Sequence, residues 1–442
     1  MARLDHPERR ILLPQVWAED DVATKAIARN RVVHPMATPV KVMQPVPKEQ
    51  VRKVGLMLDD ERGLMAAHQP LPREAWDKAS TANVLSKKPG ALSSFAAAIS
   101  SNERPERIVA ATEFLRDSGL LEHCVMLYGR AATIAEMTLV HSHEHIEMIM
   151  SCQVCDPIEI LKVSTLYNTV FMNQYSVDAA LFAAGSTIEA TEAVVKGELD
   201  SAVCIVRPPG HHAECDCAMG FGLFNSVAAA AAHAVNRLGL DRVLIVDWDI
   251  HHGNGTQEIF ADDNRVLYFS AHGMYAFPAF ARDGQMELQS PAYVGASSGQ
   301  GFSCNCAWTD QSYGDAEYAA LWERVLLPVA SEYDPQLIIV SAGFDSAAGD
   351  EEGYMLTPSG YAYLLSQLVT LACGRLVVML EGGYNIPAIS HGLHACVATL
   401  MNVTVGLPSK AELGVPRAQA IADISNTMEA QKQFWQCLRA VK

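Results

Sequence analysis

The stretch that decides the fold is VLIVDWDIHHGNG, residues 243–255. It begins with four apolar residues, Val243–Val246, and then changes abruptly to aspartates, histidines and glycines. A short run that is apolar throughout and rich in β-branched residues is typical of a strand buried on both faces of a parallel sheet. The polar residues that follow it therefore lie at the carboxyl end of a predicted strand, where open parallel sheets carry their sites.

Three more apolar runs have the same character, and each is followed by its own polar cluster. They are Ala202–Val206 before RPPGHHAE, Leu337–Val340 before SAGFD, and Leu376–Leu380 before EGGYN; a further strand candidate is Gly55–Leu58. Helical stretches separate the runs, at Asn225–Leu238, Ala316–Tyr333 and Pro358–Ala372. This alternation predicts an α/β fold with an open, mainly parallel sheet and helices on both faces, and the four polar clusters are expected to meet in one pocket.

Composition and patterning narrow the organisation and the partners of the chain. The 442 residues carry a net charge of −17, which favours encounters with basic partners such as lysine-rich peptides or polyamines. Clustered Lys and Arg are missing, so direct nucleic-acid binding is not expected, and neither is a membrane segment. Residues 1–52 are predicted to be an N-terminal extension, 53–442 a single catalytic domain, and 68–103 a long surface insertion within it. The expected location is the nucleus, the cytoplasm or both.

Two carboxylates and one imidazole are the candidate metal ligands. Asp249 and His251 are two positions apart, so in an extended segment their side chains point to the same side, and Asp345 arrives from another strand end. Three protein ligands with open positions are the catalytic arrangement for zinc. The alternative is that these residues are turn residues and helix caps.

The adjacent His211 and His212 are candidates for proton transfer, with Asp247 and Asn254 as partners that would orient them. Because a carboxylate raises a histidine's basicity and an amide does not, the two rings are expected to differ in proton affinity. The alternative is a His-His turn satisfied by backbone. Tyr384 follows two glycines and would donate to a developing oxyanion, unless it is a packed core tyrosine.

Two further patterns have more ordinary interpretations. Gly220-Phe221 and Phe277-Pro278 offer aromatic walls suited to an aliphatic stem, although each also fits core packing. The spacing of His141, His143 and His145 looks like a metal motif, but residues two apart on a helix face different directions. The sequence therefore predicts a surface helix here.

Taken together, the clusters at 207–212, 247–255, 341–345 and 380–385 resemble the zinc-dependent histone deacetylase family, with wording similar to its class II members. The resemblance covers roughly residues 53–440. It implies the arginase/deacetylase fold with about eight strands, and hydrolysis of the acyl amide of N6-acetyl-lysine in histones or other proteins. It also implies a corepressor complex as a partner of the protein.

Site residues carried over from the family fall on the residues already singled out. Zinc would be held by Asp249, His251 and Asp345. Catalysis would use His212 as main base and acid, His211 as electrostatic partner, Asp247 and Asn254 behind them, and Tyr384 at the transition state. The substrate would meet Gly220, Phe221, Phe277, Glu352 and Gly382.

The family also binds potassium, and its members have an arginine beside an internal acetate channel, which matches Arg107. One monovalent-cation site would use Asp247, Asp249, His251 and the Ser270–Ala271 region, and a second would use Phe260, Asp263, Val266 and Phe302.

Glu352 is the feature that bears most on substrate choice. Many relatives carry leucine at this place in the tunnel mouth, whereas glutamate is typical of the branch that deacetylates polyamines. The alternatives are therefore acetylpolyamine hydrolysis, a solvent-facing acid without a role, or a catalytically idle binding scaffold.

Overall fold

The computed structural model describes residues 52–59, 102–403 and 406–439, and these ranges contain one eight-stranded sheet. Its strands are β1 (Val54–Met57), β2 (Val125–Leu127), β3 (Ser201–Cys204), β4 (Val243–Asp247), β5 (Val266–Gly273), β6 (Ser303–Trp308), β7 (Leu337–Ala342) and β8 (Leu376–Leu380). Every neighbouring pair is parallel, in the order β2-β1-β3-β8-β7-β4-β5-β6. The predicted open parallel sheet is confirmed.

Helices connect the strands throughout the described ranges. They are α1 (Glu106–Asp117), α2 (Ile134–Met137), α3 (His143–Ser151), α4 (Pro157–Ser164), α5 (Ser176–Val195), α6 (Ser226–Asn236), α7 (Asn254–Ile259), α8 (Gln285–Leu288), α9 (Asp315–Leu321), α10 (Leu327–Tyr333), α11 (Pro358–Leu368), α12 (Ile386–Leu400), α13 (Lys410–Leu413) and α14 (Ala418–Gln431). The helix expected over 316–333 is α9 and α10 joined by a π-helical turn, Trp322–Leu326.

The four site-bearing strands are neighbours in the sheet, because β3, β8, β7 and β4 are consecutive in its order. Every residue of these strands is buried. Since successive side chains of a strand point to opposite faces, complete burial means that both faces are covered. The carboxyl ends of the four strands therefore lie side by side, as the position of the polar clusters predicts.

Capping residues fix where the helices after these loops begin. Asn385 ends the EGGYN cluster and accepts a hydrogen bond from the amide of Ala388 at 3.0 Å, which caps α12. Thr357 accepts from the amide of Gly360 at 3.0 Å ahead of Pro358, so α11 begins with a side-chain cap and a first-turn proline. The loops that carry the site are thus held at both ends.

Strands β5 and β6 were not recognised in the sequence because both bury polar side chains. In β5, the Ser270 hydroxyl bonds to the His272 ring at 2.8 Å. In β6, Asn305 donates its side-chain amide to Gln257 at 2.7 Å. A hydrophobic pattern cannot reveal a strand that buries polar groups, because the pattern does not show the hydrogen bonds that satisfy them.

The predicted surface insertion at 68–103 lies outside the described residues as far as position 101, as does the N-terminal extension as far as position 51. At the end of this predicted insertion, Glu103 is fully buried. Its carboxylate accepts from Arg107 at 3.0 Å and from Arg207 at 2.7 Å, and both guanidiniums are buried as well. Arg107 also donates to the backbone carbonyls of Glu381 and, at 2.6 Å, Gly383. These bonds tie the start of α1 to the ends of β3 and β8.

Among the described residues, no helix combines the length and apolar character needed to cross a membrane.

Replacing Glu103 by alanine should lower the free energy of unfolding by about 3–5 kcal/mol, because two buried guanidiniums lose the carboxylate that they share. Urea denaturation of the purified protein measures the change. The control is Glu323→Ala, which removes an ion pair with the exposed Lys410 and should leave the stability nearly unchanged. Equal effects of the two substitutions would refute the anchoring role of Glu103.

Candidate active site

The three candidate metal ligands converge beyond the ends of β4 and β7. One ligand atom from each of Asp249, His251 and Asp345 lies within 4.8 Å of the other two, and all three residues are buried. The Nδ1 atom of His251 is 3.0 Å from an Asp249 oxygen and 3.1 Å from an Asp345 oxygen. Asp249 does make the local contact that the turn alternative expects, since one of its oxygens accepts the His251 amide at 2.9 Å. A turn by itself does not account for Asp345, which reaches the same place from the end of β7.

The charges of this cluster suit a divalent cation. Burial and the neighbouring Asp249 carboxylate raise the pKa of Asp345 to about 7, against the opposing effect of the His251 hydrogen bond. Two adjacent buried carboxylates repel each other unless a cation or a proton lies between them. A divalent ion coordinated by both would remove that repulsion, so the residues present fit a metal.

Backbone amides hold the carboxylates in place. The amide of Ile250 donates to Asp345 at 2.9 Å, and the amide of Gly382 donates to Asp249 at 2.8 Å. A side chain at either Gly382 or Gly343 would collide with the Asp249 carboxylate. The two glycines are therefore required for the close approach of the β7 and β8 loops to the ligands.

The paired histidines have different partners. His211 Nδ1 lies 3.0 Å from an Asp247 oxygen, which also accepts from the Tyr268 hydroxyl at 3.0 Å. Burial by itself would lower the pKa of His211, but the carboxylates of Asp249 and Asp247 outweigh it and raise the pKa to about 10. His211 is therefore a cation at neutral pH in this environment.

His212 Nδ1 lies 2.8 Å from the side-chain oxygen of Asn254, and the two histidine rings are 4.0 Å apart. Burial, reinforced by the positive charge of His211, holds the pKa of His212 well below its usual range. A neutral ring beside a charged one is the separation that the different partners predict.

Tyr384 reaches towards the same region. Its ring centroid is 6.1 Å from that of Phe221, and the guanidinium of Arg107 lies 5.3 Å from its centroid. Asp350 accepts its backbone amide at 2.7 Å. Burial raises the pKa of the Tyr384 phenol, so the hydroxyl keeps its proton and remains a hydrogen-bond donor.

The predicted aromatic walls lie next to these groups. Phe277 packs edge-on against His212 with 5.0 Å between ring centroids, and Phe221 lies between Tyr384 and Phe171. Gly220 has a φ of +53°, and a side chain there would collide with the His212 ring. Glycine is thus required where this loop passes the histidine.

Comparison with known proteins identifies the family of this chain. Residues 101–400 match the family described as the histone deacetylase domain. This chain belongs to the histone deacetylase family. The family is zinc-dependent, which agrees with the donor set of Asp249, His251 and Asp345.

Relatives within the family carry two kinds of name. The chain is 42% identical over 342 residues to polyamine deacetylase HDAC10 of Mus musculus, covering 76% of this chain and 50% of that protein. It is 42% identical over 306 residues to histone deacetylase 18 of Arabidopsis thaliana, covering 68% and 44%. The crystal structure of the HDA15 HD domain superposes with a TM-score of 0.72 at 30% identity, covering 88% of this chain and 96% of that one. The chain spans about half the length of the curated relatives it matches.

Glu352, which the sequence analysis singles out for substrate choice, is not a simple solvent-facing acid. One of its oxygens lies 3.4 Å from His251 Nε2, on the side of the ring opposite the metal-facing Nδ1. This contact with His251 also lowers the pKa of Glu352. Glu352 further lines a cavity of about 290 Å³ together with Trp308, Asp310 and Tyr354. It therefore connects a metal ligand to a polar cavity.

The potassium sites remain predictions, although the structure shows where their residues lie. Ser270 is the register partner of Asp247 on the neighbouring strand, beside the ligand loop. In the second set, the backbone carbonyl of Phe302 accepts from the backbone amide of Tyr268 at 2.9 Å. The carboxylate of Asp263 pairs with the Arg265 guanidinium at 2.6 Å.

The surface helix expected around His141, His143 and His145 is wrong for two of the three histidines. His141 and His145 are buried. His141 Nδ1 is 2.9 Å from the Glu214 carbonyl, while its Nε2 accepts from the Asn225 amide at 2.9 Å. Burial lowers the pKa of His141 to about 3 and keeps it neutral. Two of these histidines therefore brace the loop that carries the catalytic pair, since His145 also bonds to the Leu223 carbonyl.

Sequence reasoning missed several residues that support the site, among them Glu103, Glu214, Tyr268 and Asp350. Each acts through a contact distant in the chain, such as Tyr268 with Asp247 or Asp350 with Tyr384. A local signal existed only for Glu214, which directly follows the His-His motif.

Replacing Gly382 by alanine should weaken zinc binding by about 10- to 100-fold, because the new methyl group displaces the Asp249 carboxylate. The measurement is zinc affinity by competition with a chelator. Gly406→Ala is the matched control, since open space surrounds that position. Unchanged affinity in Gly382→Ala would show that the ligands do not need this close approach.

Proposed function

We propose that this protein hydrolyses the acyl amide of N6-acetyl-lysine in histones or other proteins, and releases acetate and free lysine. The observation that carries the proposal is the convergence of three ligand atoms within 4.8 Å beside a neutral His212 and a protonated Tyr384. Zinc held by Asp249, His251 and Asp345 would polarise the amide carbonyl and acidify the attacking water.

His212 is the group that takes the proton of the attacking water. Its ring is neutral and its Nδ1 points at Asn254, so Nε2 is the nitrogen left to accept a proton. His211, paired with Asp247, supplies positive charge beside it. Once protonated, His212 returns the proton to the departing lysine amine, which completes an acid–base cycle.

Tyr384 stabilises the negative charge that develops on the carbonyl oxygen. Its phenol is a donor because burial raises its pKa. The backbone amides of Tyr384 and Asn385 both donate to the Asp350 carboxylate, and these bonds fix the loop. Phe221 and Phe277 would enclose the aliphatic stem of the substrate, with the Gly220 carbonyl accepting from the substrate amide. Arg107 would face the released acetate.

A second candidate function is hydrolysis of acetylpolyamines. It is favoured by Glu352, whose carboxylate lies at a polar cavity that also contains Asp310, and by the net charge of −17. The relatives in Mus musculus and Homo sapiens are named polyamine deacetylases. A carboxylate at the tunnel mouth would attract the distant ammonium group of a polyamine.

The remaining assignments follow from the family. We assign the chemistry to one catalytic domain, residues 53–442, with potassium at the site near Ser270 and at the one formed by Phe260, Asp263, Val266 and Phe302. The nucleus, the cytoplasm or both would be the place of action, and a corepressor complex would be the assembly.

Tyr384→Phe should lower kcat by about 100- to 1,000-fold and leave KM nearly unchanged, because it removes one oxyanion donor and keeps the aromatic wall. Steady-state kinetics on a fluorogenic acetyl-lysine peptide measures both constants. Tyr128→Phe serves as a control, since that side chain is exposed just after the edge strand β2. Undiminished turnover by Tyr384→Phe would remove the tyrosine from the mechanism.

Glu352→Gln separates the two candidate substrates, because it removes the charge and keeps an acceptor for His251. For a polyamine deacetylase, kcat/KM for acetylspermidine should fall about tenfold or more relative to an acetyl-lysine peptide. For a lysine deacetylase, the ratio of the two values should stay the same. Glu352→Leu removes the contact with His251 as well as the charge. Its additional loss of kcat/KM, relative to Glu352→Gln, measures the contribution of that contact.

A catalytically idle scaffold makes a different prediction for the unmodified protein. It would bind zinc and an acetyl-lysine peptide without turning the peptide over, whereas the proposed hydrolase releases acetate. Zinc content and acetate release, measured on the same preparation, distinguish the two.

A further inference from the structure

Behind Asn254, on the side away from His212, lies a buried carboxylate that the mechanism does not use. The side-chain nitrogen of Asn254 donates to Glu214 at 2.7 Å, while its oxygen faces His212 Nδ1 at 2.8 Å. Glu214 is buried. The remaining neighbours of the Asn254 nitrogen are the His212 carbonyl and the Met219 sulfur, which are also acceptors.

This arrangement decides which way the Asn254 amide points. A carboxylate has only acceptor atoms, so the NH₂ group of Asn254 must face Glu214 and the oxygen must face His212. An oxygen at His212 Nδ1 requires the hydrogen of the neutral ring to be on Nδ1. The lone pair is then on Nε2, where a base needs it.

Glu214 is itself held by a residue on a separate loop. The guanidinium of Arg282 makes two bonds to its carboxylate, at 2.6 and 2.8 Å, and a third to Gln285 at 2.9 Å. Two parallel bonds from an arginine fix both the position and the plane of a carboxylate. Arg282, Asn254 and Gln285 also line a cavity of about 170 Å³, so the arginine is reached from solvent.

We propose that Glu214, clamped by Arg282, is a positioning residue that sets the tautomer of His212 through the Asn254 amide. The inference rests on the proposed function of His212 as base, but the tautomer is a property of the protein without substrate.

The test is Glu214→Leu, which keeps most of the side-chain volume and removes both acceptor oxygens. Asn254 and one nitrogen of Arg282 donate to the same oxygen, Glu214 Oε1, so the variant removes the bond that fixes the direction of the Asn254 amide. Once that amide turns over, the hydrogen of His212 moves to Nε2. We expect kcat to fall about 10- to 100-fold with KM nearly unchanged, and ¹⁵N NMR of the histidine rings in metal-free protein to show the change of tautomer.

Glu214→Gln should keep most of the activity, because its oxygen can occupy the Oε1 position that Asn254 and Arg282 share. Arg242→Gln is the matched control for the arginine, since Arg242 pairs with Asp334 at a similar exposure but at the opposite, amino end of β4. If Glu214→Leu misfolds, Arg282→Gln in an otherwise unmodified chain tests the same clamp by the same readouts.

An unchanged tautomer in Glu214→Leu, or a kcat within twofold of the Arg242→Gln control, would overturn the proposal. A wild-type protein without turnover would instead refute the proposed function, and the NMR result would still decide the role of Glu214.

Discussion

The site depends on two carboxylates, Asp249 and Asp345, that are buried side by side. Placing them together in a low-dielectric interior is unfavourable unless positive charge compensates them. The protein supplies part of this compensation through the amides of Ile250 and Gly382 and through the ring of His251. Burial and the neighbouring Asp249 carboxylate nevertheless raise the pKa of Asp345, which suits a site where a cation lies between the two acids. The glycines and the order of the strands follow from this requirement, since bulkier loops would separate the two acids.

The protonation states of the two adjacent histidines, His211 and His212, also depend on their hydrogen-bond partners. They are adjacent in sequence and equally buried, yet one faces a carboxylate and the other an amide. The carboxylate favours a charged ring, and the amide leaves the other ring neutral. The difference between Asp247 and Asn254 thus matches the separate electrostatic and proton-transfer roles that we propose for the two rings. The amide requires support of its own, because, unlike a carboxylate, it can face either way; Glu214 and Arg282 supply this support.

Glu352 joins substrate choice to the metal site. Its carboxylate contacts Nε2 of His251, a candidate metal ligand. It also lines the polar cavity that contains Asp310. A substituent at this position therefore affects both the orientation of His251 and the charge that a substrate meets. For this reason the effect of its charge must be separated from the effect of its hydrogen bond.

The sequence by itself determined the parallel sheet, the four strand ends and the candidate ligands, because each of these is written in a short local pattern. Val243–Val246 predicts a buried strand, and the aspartates and histidines after it have ligand spacing. Only the tertiary structure decided that Glu103 is a buried anchor, that His141 braces the catalytic loop and that Glu214 orients Asn254. These roles arise between residues 40 to 104 positions apart, as in Glu214–Asn254 and Glu103–Arg207. A charged or imidazole side chain has the same local pattern whether water or a distant partner satisfies it, so only the folded chain distinguishes the two.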